Sequence, residues 1–243
     1  MAAAACLLGS QPAHSQEADA STVTKAPPVV NTLAETDMPL TREVIVPPKP
    51  APVKQPVESE ISVMGMIPDG DYRMFSATVR CNAWTVGVEY DRHSLGNFLR
   101  SRVDYVMEVL PFVILSEPAK SDFWGNPRSP DQQHVPGLSI LPVGFRFLWR
   151  NNQAVRPYVI GKLGAIVFTQ KVLSQSASYT NFNIQAAFGL QFRMTERVDF
   201  RIEPFEFFHV SNGYLAASNP GMDELGTRIG FTYHLARRAP AGR

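Results

Sequence analysis

Hydrophobic and polar residues alternate along much of the chain between Tyr72 and Leu235. The clearest run is NFNIQAAFGLQFR at 181–193, and RVDFRIE at 197–203 and LGTRIGFTYHL at 225–235 repeat it. A period of two predicts β-strands whose two faces meet different surroundings. One face of each run is apolar and the other is rich in Gly, Gln, Asn and Arg. This arrangement indicates a barrel with lipid outside and a polar interior rather than a water-soluble barrel.

The pattern predicts an all-β fold, an eight-stranded antiparallel barrel of a bacterial outer membrane. The predicted strands are 73–80, 83–92, 102–114, 138–149, 156–168, 181–193, 196–211 and 224–235. Most of the intervening joints alternate between short and long, as expected when turns lie on one side of the membrane and loops on the other. The short joint around Cys81 and the longer one at 93–101 do not fit this alternation.

The front of the chain has a different composition from the predicted barrel. Residues 1–15 resemble the latter part of a secretory signal peptide, although a basic n-region is missing. Residues 16–60 are rich in proline and predict a disordered, extended spacer. The barrel domain is therefore assigned to residues 61–243.

Composition and charge exclude several classes of protein. With 23 basic and 22 acidic residues in 243, the chain has no electrostatic footprint for nucleic acid. Two cysteines, Cys6 and Cys81, supply neither a disulfide framework nor a four-ligand zinc site. No residue cluster suggests a metal, and we predict no cofactor.

Candidate chemistry lies at the end of the seventh predicted strand, where the sequence reads FEFFHVSNGYLAASNPGMDELG. His209 and Ser211 are two residues apart, so on a strand they share one face with Cα atoms about 6.5 Å apart. An imidazole at that distance can act as general base toward a serine nucleophile. Taken alone, the His209 and Ser211 pair is better explained as part of a polar girdle at a strand end.

Strand phase favours the catalytic interpretation. Pro204 interrupts the ladder, and a one-residue bulge there would turn His209 and Ser211 to the lipid side and Glu206 to the lumen. In the eighth strand, parity places Asp223 on the outer face and Glu224 in the lumen. Asp223 is therefore the preferred acid and Glu224 the alternative one.

These residues resemble a known family. His209-x-Ser211-Asn212, followed by Asn219-Pro220-Gly221 and an acid fourteen residues after the histidine, is similar to the lipid A 3-O-deacylases of the PagL type, part of the acyloxyacyl hydrolase group. Fainter similarity extends the resemblance over most of residues 74–235. The best-known members have Glu where Asp223 stands here, and the shorter aspartate can still orient an imidazole.

The resemblance implies an outer-membrane serine esterase with its site on the lipid-facing wall, toward the outer leaflet. Its substrate would be lipid A of lipopolysaccharide, and the ester hydrolysed would be that of the 3-O-linked acyl chain. Ser211 would be the nucleophile, His209 the base and Asp223 the orienting acid. Backbone N–H groups near Asn212 and Gly213, or the Asn219 amide, would bind the oxyanion.

Two other functions remain open from the sequence. One is a non-catalytic barrel that has a structural role in the envelope, and the other is an outer-membrane phospholipase. The sequence also leaves open whether the protein is a monomer or a homodimer. The expected partners are outer-membrane lipids, and no nucleic acid is expected.

Overall fold

The structure, a computed structural model, describes residues 58–174, 177–212 and 221–236. The signal peptide predicted at 1–15 and nearly all of the spacer predicted at 16–60 lie outside these described residues. Within them, no helix is long and apolar enough to cross a membrane.

Eight antiparallel strands form a closed barrel in which each strand pairs with its neighbours in sequence and β1 pairs with β8. The strands are β1 (Ser59–Tyr72), β2 (Asn82–Phe98), β3 (Ser101–Pro118), β4 (Gln132–Leu148), β5 (Val155–Phe168), β6 (Thr180–Arg193), β7 (Val198–Ser211) and β8 (Met222–His234). The predicted fold class is confirmed.

The predicted first strand at 73–80 is wrong. The strand that closes the barrel is β1, from Ser59 to Tyr72, and residues 73–81 form the loop between β1 and β2. Ile61, Val63 and Ile67 face outward on β1 and are exposed, so a period of two is present there too. The adjoining proline-rich segment and Pro68 within the strand obscure this pattern in the sequence.

With β1 in this position, the connections alternate without exception. The longer connections, β1–β2, β3–β4, β5–β6 and β7–β8, join strand ends at one end of the barrel, here called the long-loop end. Short turns at 99–100, 149–154 and 194–197 lie at the other, the short-turn end. The joint at 93–101 no longer departs from the alternation, because β2 continues to Phe98. Both ends of the barrel sequence, Ser59 and His234, lie at the short-turn end.

Ion pairs fill the lumen toward the short-turn end. Arg146 contacts Asp91 at 2.8 Å, Glu60 at 2.9 Å and Asp104 at 2.6 Å. Lys162 bridges two further glutamates, at 3.1 and 2.5 Å. Buried charges are stable in such a place when each one meets opposite charges and hydrogen-bond partners.

Apolar side chains fill the lumen toward the long-loop end. They form one buried cluster that includes Leu110, Leu115 and Phe168 together with Phe208, Val210 and Met222. The last three are the inward residues of β7 and β8 at the height where the outward residues carry the candidate chemistry. Packing inside the barrel therefore fixes the backbone that presents His209 and Asp223 outside.

Candidate active site on the outer wall

The β7 strand changes its facing pattern at Pro204. Before it, Asp199, Arg201 and Glu203 point into the lumen, and after it Glu206 is the next buried lumen residue. The pairing of β7 with β8 shifts between Glu203 and Glu206, which is the signature of an inserted residue. The bulge predicted at Pro204 is confirmed. Because of it, the odd-numbered residues that follow face outward.

His209 and Asp223 face each other across the β7–β8 pair. They are direct register partners, and Nδ1 of His209 lies 2.6 Å from Oδ1 of Asp223. The histidine side chain is 12% exposed and the aspartate side chain is fully buried. Glu224 is buried and lies on the lumen face of β8. The structure thus brings the preferred acid to the histidine and turns the alternative acid away from it.

The second oxygen of Asp223 is held by backbone donors. Oδ2 accepts N–H groups from Met74 at 2.6 Å, Phe75 at 2.6 Å and Ser76 at 2.9 Å, all in the β1–β2 loop. Three donors on one oxygen favour the ionised carboxylate, which can only accept hydrogen bonds. It follows that Nδ1 of His209 carries the proton of the 2.6 Å contact. In the neutral imidazole, Nε2 then has a lone pair that can accept a proton.

Ser211 lies two residues beyond His209 on the same strand and the same outward face. Its register partner on β6 is Phe182, next to the Ile184–His209 pair. Alternation in a strand places the Cα atoms of residues i and i+2 about 6.5 Å apart. The backbone thus brings serine, histidine and aspartate to one patch of the outer wall, at the long-loop end.

Aromatic rings surround the histidine. Phe207 stacks on His209 with ring centroids 6.2 Å apart and an interplanar angle of 11°. Phe75 meets the same ring edge-on at 6.1 Å. Phe75 itself is 68% exposed and Phe205 is 62% exposed. The site therefore opens onto an apolar surface, which suits a substrate that arrives from lipid.

The predicted oxyanion residues are only partly described. The side-chain amide of Asn212 is buried and donates to Oγ of Ser178 at 3.2 Å. That contact occupies the side chain, so the backbone N–H remains the group of Asn212 to consider. Gly213 and Asn219 lie outside the described residues. Their predicted role stays a prediction.

The sequence did not reveal the residues that hold Asp223. The sequence pattern predicts a strand at 73–80, whereas residues 74–76 lie in the β1–β2 loop and supply the donors to Oδ2. Backbone N–H groups are the same in nearly every residue type, so no side-chain pattern could mark them. Among the described residues, no group of three or more His, Cys, Asp or Glu side chains is arranged to hold a metal ion.

Residues 114–232 match the family model of lipid A 3-O-deacylase (PagL). The family resemblance seen in the sequence is thereby confirmed. No curated protein sequence matches the chain.

Among solved structures, the outer membrane enzyme PagL is similar at 13% identity and a TM-score of 0.48, covering 70% of this chain and 97% of that one. OprG from Pseudomonas aeruginosa is similar at 12% identity and a TM-score of 0.41, covering 73% and 96%. Ail from Yersinia pestis is similar at 18% identity and a TM-score of 0.37, covering 74% and 99%.

Proposed function

Because residues 114–232 carry a domain of the lipid A 3-O-deacylase (PagL) family, we propose that this protein is an outer-membrane serine esterase. Its substrate is lipid A, and it hydrolyses the ester that links the acyl chain at position 3. The single observation that carries the proposal is the pair of His209 and Asp223, 2.6 Å apart on the outer wall, with Ser211 on the same face.

The mechanism follows from the hydrogen-bond partners of Asp223 and His209. Nε2 of His209 takes the proton from the hydroxyl of Ser211 as the serine oxygen attacks the ester carbonyl. Asp223 holds the ring by Nδ1 and stabilises the imidazolium that forms. When the intermediate collapses, the ester C–O bond breaks and His209 returns the proton to the sugar oxygen. Water then hydrolyses the acyl-serine by the same route and releases the fatty acid.

The surroundings of the site favour a lipid substrate over a soluble one. The histidine is flanked by Phe75 and Phe207 on the outer wall, within a belt of exposed apolar side chains. The lumen behind it is filled with apolar groups at this height and with ion pairs below it. A substrate that is already in the membrane can reach Ser211 without crossing the protein.

The position of the candidate site along the barrel axis also indicates which leaflet of the outer membrane it would face. Long loops and short turns at opposite ends of a barrel are typical of outer-membrane proteins, whose long loops lie on the cell exterior. The candidate site lies at the long-loop end, so it would lie level with the outer leaflet. Lipid A would then meet the site from the side, within the plane of the leaflet.

The proposal is tested by incubating the purified protein in outer-membrane vesicles that contain lipopolysaccharide and weighing the lipid A by mass spectrometry. We expect the loss of one hydroxyacyl chain, and the loss is absent with Ser211→Ala, which removes the nucleophile and keeps the fold. Fatty acids released from phospholipids, with lipid A unchanged, would indicate a phospholipase. If both lipids are unchanged and the barrel is intact, the protein has a structural role.

A further inference from the structure

We propose that residues 74–78 of the β1–β2 loop are the positioning element of the candidate site, and that Thr78 is the side chain that fixes this element to β8. The inference rests on the proposed function, since it assigns a role at the same site. None of these residues belongs to the serine, histidine and acid set. They act through Asp223, so they are positioning residues and not catalytic ones.

The first observation is how completely one oxygen of Asp223 is held. Three successive N–H groups, from Met74 to Ser76, converge on Oδ2 at 2.6 to 2.9 Å. An aspartate side chain has two torsions, and fixing Oδ2 fixes the direction of Oδ1 as well. Oδ1 then points at Nδ1 of His209, 2.6 Å away. The loop therefore decides whether the acid can orient the imidazole.

The second observation is a tie between the same loop and the start of β8. The hydroxyl of Thr78 donates to the carbonyl oxygen of Gly221 at 2.6 Å, and Thr78 is buried. Gly221 stands two residues before Asp223 and has a φ of +63°, a conformation that glycine adopts without strain. Its backbone conformation sets the direction in which β8 begins. Thr78 thus fixes the backbone just before Asp223, while residues 74–76 hold the carboxylate of Asp223.

The third observation joins the loop to the histidine. A Cβ placed on Gly221 would lie 3.5 Å from Cε1 of His209 and 3.5 Å from Cβ of Ser76. Phe75 also contacts the His209 ring edge-on. The β1–β2 loop, the start of β8 and the imidazole are therefore packed against one another. A shift of the loop would move both partners of the His209–Asp223 pair.

A matched pair of substitutions at Phe75 tests the donors. Phe75→Ala removes the ring but keeps the N–H group, whereas Phe75→Pro removes both. A fluorophosphonate probe measures serine reactivity without requiring lipid A. We expect Phe75→Pro to label about 10-fold more slowly than Phe75→Ala, as for the loss of one hydrogen bond to a charged group. Turnover of Phe75→Pro should fall below that of Phe75→Ala with little difference in KM between the two, because both variants lack the exposed ring.

Thr78 is tested by Thr78→Val, which keeps the shape of the side chain, and by Thr78→Ser, which keeps the hydroxyl. We expect Thr78→Val to label about 3- to 10-fold more slowly than wild type, the usual worth of one buried hydrogen bond, and Thr78→Ser to recover most of the rate. Barrel closure is followed in each variant by the change in electrophoretic mobility on heating. A variant that is closed but slow supports positioning.

A second readout keeps the inference separate from the proposed function. The proton on Nδ1 of His209 should give a downfield NMR signal that Asp223→Asn abolishes and that Phe75→Pro and Thr78→Val shift in a closed barrel. If wild type fails to react with the probe, the proposed esterase function is overturned, and the NMR signal still decides the inference. The inference is overturned if both substitutions leave that signal and the labelling rate unchanged, or if Thr78→Ser is as impaired as Thr78→Val.

Discussion

Two histidines in this barrel pair with aspartate across the β7–β8 ladder, and they differ in where they face. His209 meets Asp223 on the outer wall, through Nδ1 alone. His234 lies in the lumen near the short-turn end, where Nε2 contacts Asp199 and Nδ1 lies 3.4 Å from Glu60. Both ring nitrogens of His234 already contact a buried acid, so neither is left to meet a substrate.

The contrast shows that a histidine–aspartate pair acquires a chemical role from what surrounds it. Asp199 is shared with Arg156 and with the amide of Gln191, so His234 is one member of a charge network. Asp223 instead meets one imidazole and three backbone donors, and the imidazole opens onto apolar surface. The first arrangement joins neighbouring strands by buried ionic contacts, and the second leaves Nε2 of His209 for the role that the proposed mechanism gives it.

The largest expected effect comes from exchanging the two histidines for glutamine one at a time. His209→Gln should lower the deacylation rate by about 10⁶-fold, as the loss of the catalytic histidine does in a serine protease. His234→Gln should keep the rate within about threefold, because distant sites without shared partners act independently. Mass spectrometry of lipid A over time measures both rates. If both variants form closed barrels and lose the same fraction of the deacylation rate, His209 has no special role in the reaction.

The next effect concerns the acid of the outer pair. Asp223→Asn should lower the rate by about 10⁴-fold, because an amide disturbs the tautomer that the carboxylate imposes on the ring. Asp223→Glu lengthens the side chain by one methylene, and we expect a loss of about 100-fold, the usual cost of misplacing a group by about 1 Å. The donors at 74–76 fit the shorter side chain.

The two variants are compared under the same assay with lipopolysaccharide vesicles. An Asp223→Glu protein as active as wild type would show that residues 74–76 accommodate either length. The N–H groups of residues 74–76 would then not select aspartate over glutamate as the acid.

Substitution of His234, the lumen histidine, should lower the stability of the barrel rather than the deacylation rate. His234→Ala takes a partner from Asp199 and Glu60, both fully buried. Removing one member of a buried ionic network costs about 3 kcal/mol of unfolding free energy. Urea unfolding in lipid vesicles measures this, with Lys120→Ala, an exposed residue of the β3–β4 loop outside the network, as the control. An unchanged free energy would mean that water replaces the imidazole.

The sequence predicted the outer wall well because alternation carries that information. Phe200 and Ile202 set the phase of β7, Pro204 signalled the bulge, and parity in β8 separated Asp223 from Glu224. Each inference used a side chain whose burial is decided by the face on which it lies.

The sequence did not predict features that are set by backbone groups or by strand register rather than by a side-chain pattern. The strand at Ser59–Tyr72 was missed because Pro68 and the proline-rich segment before it mask its alternation, and residues 73–80 were assigned to a strand instead. The donors at 74–76 have no side-chain signature. Pairing partners within the lumen, such as Glu60 with Arg146, depend on strand register around the barrel, which a single sequence does not specify.

The smallest expected effect comes from deleting Pro204, the residue at the β7 bulge. Between Glu203 and Glu206, β7 uses three steps where β8 uses two, and the pairing with β6 shows the same excess between Ile202 and Phe205. Deleting Pro204 makes both ladders regular and leaves His209 outward, so we expect a rate within about threefold of wild type. Inserting one alanine after Glu206 should instead turn His209 and Ser211 into the lumen and abolish activity. An inactive but closed deletion variant would show that the bend at the bulge, and not only the face it selects, positions the site.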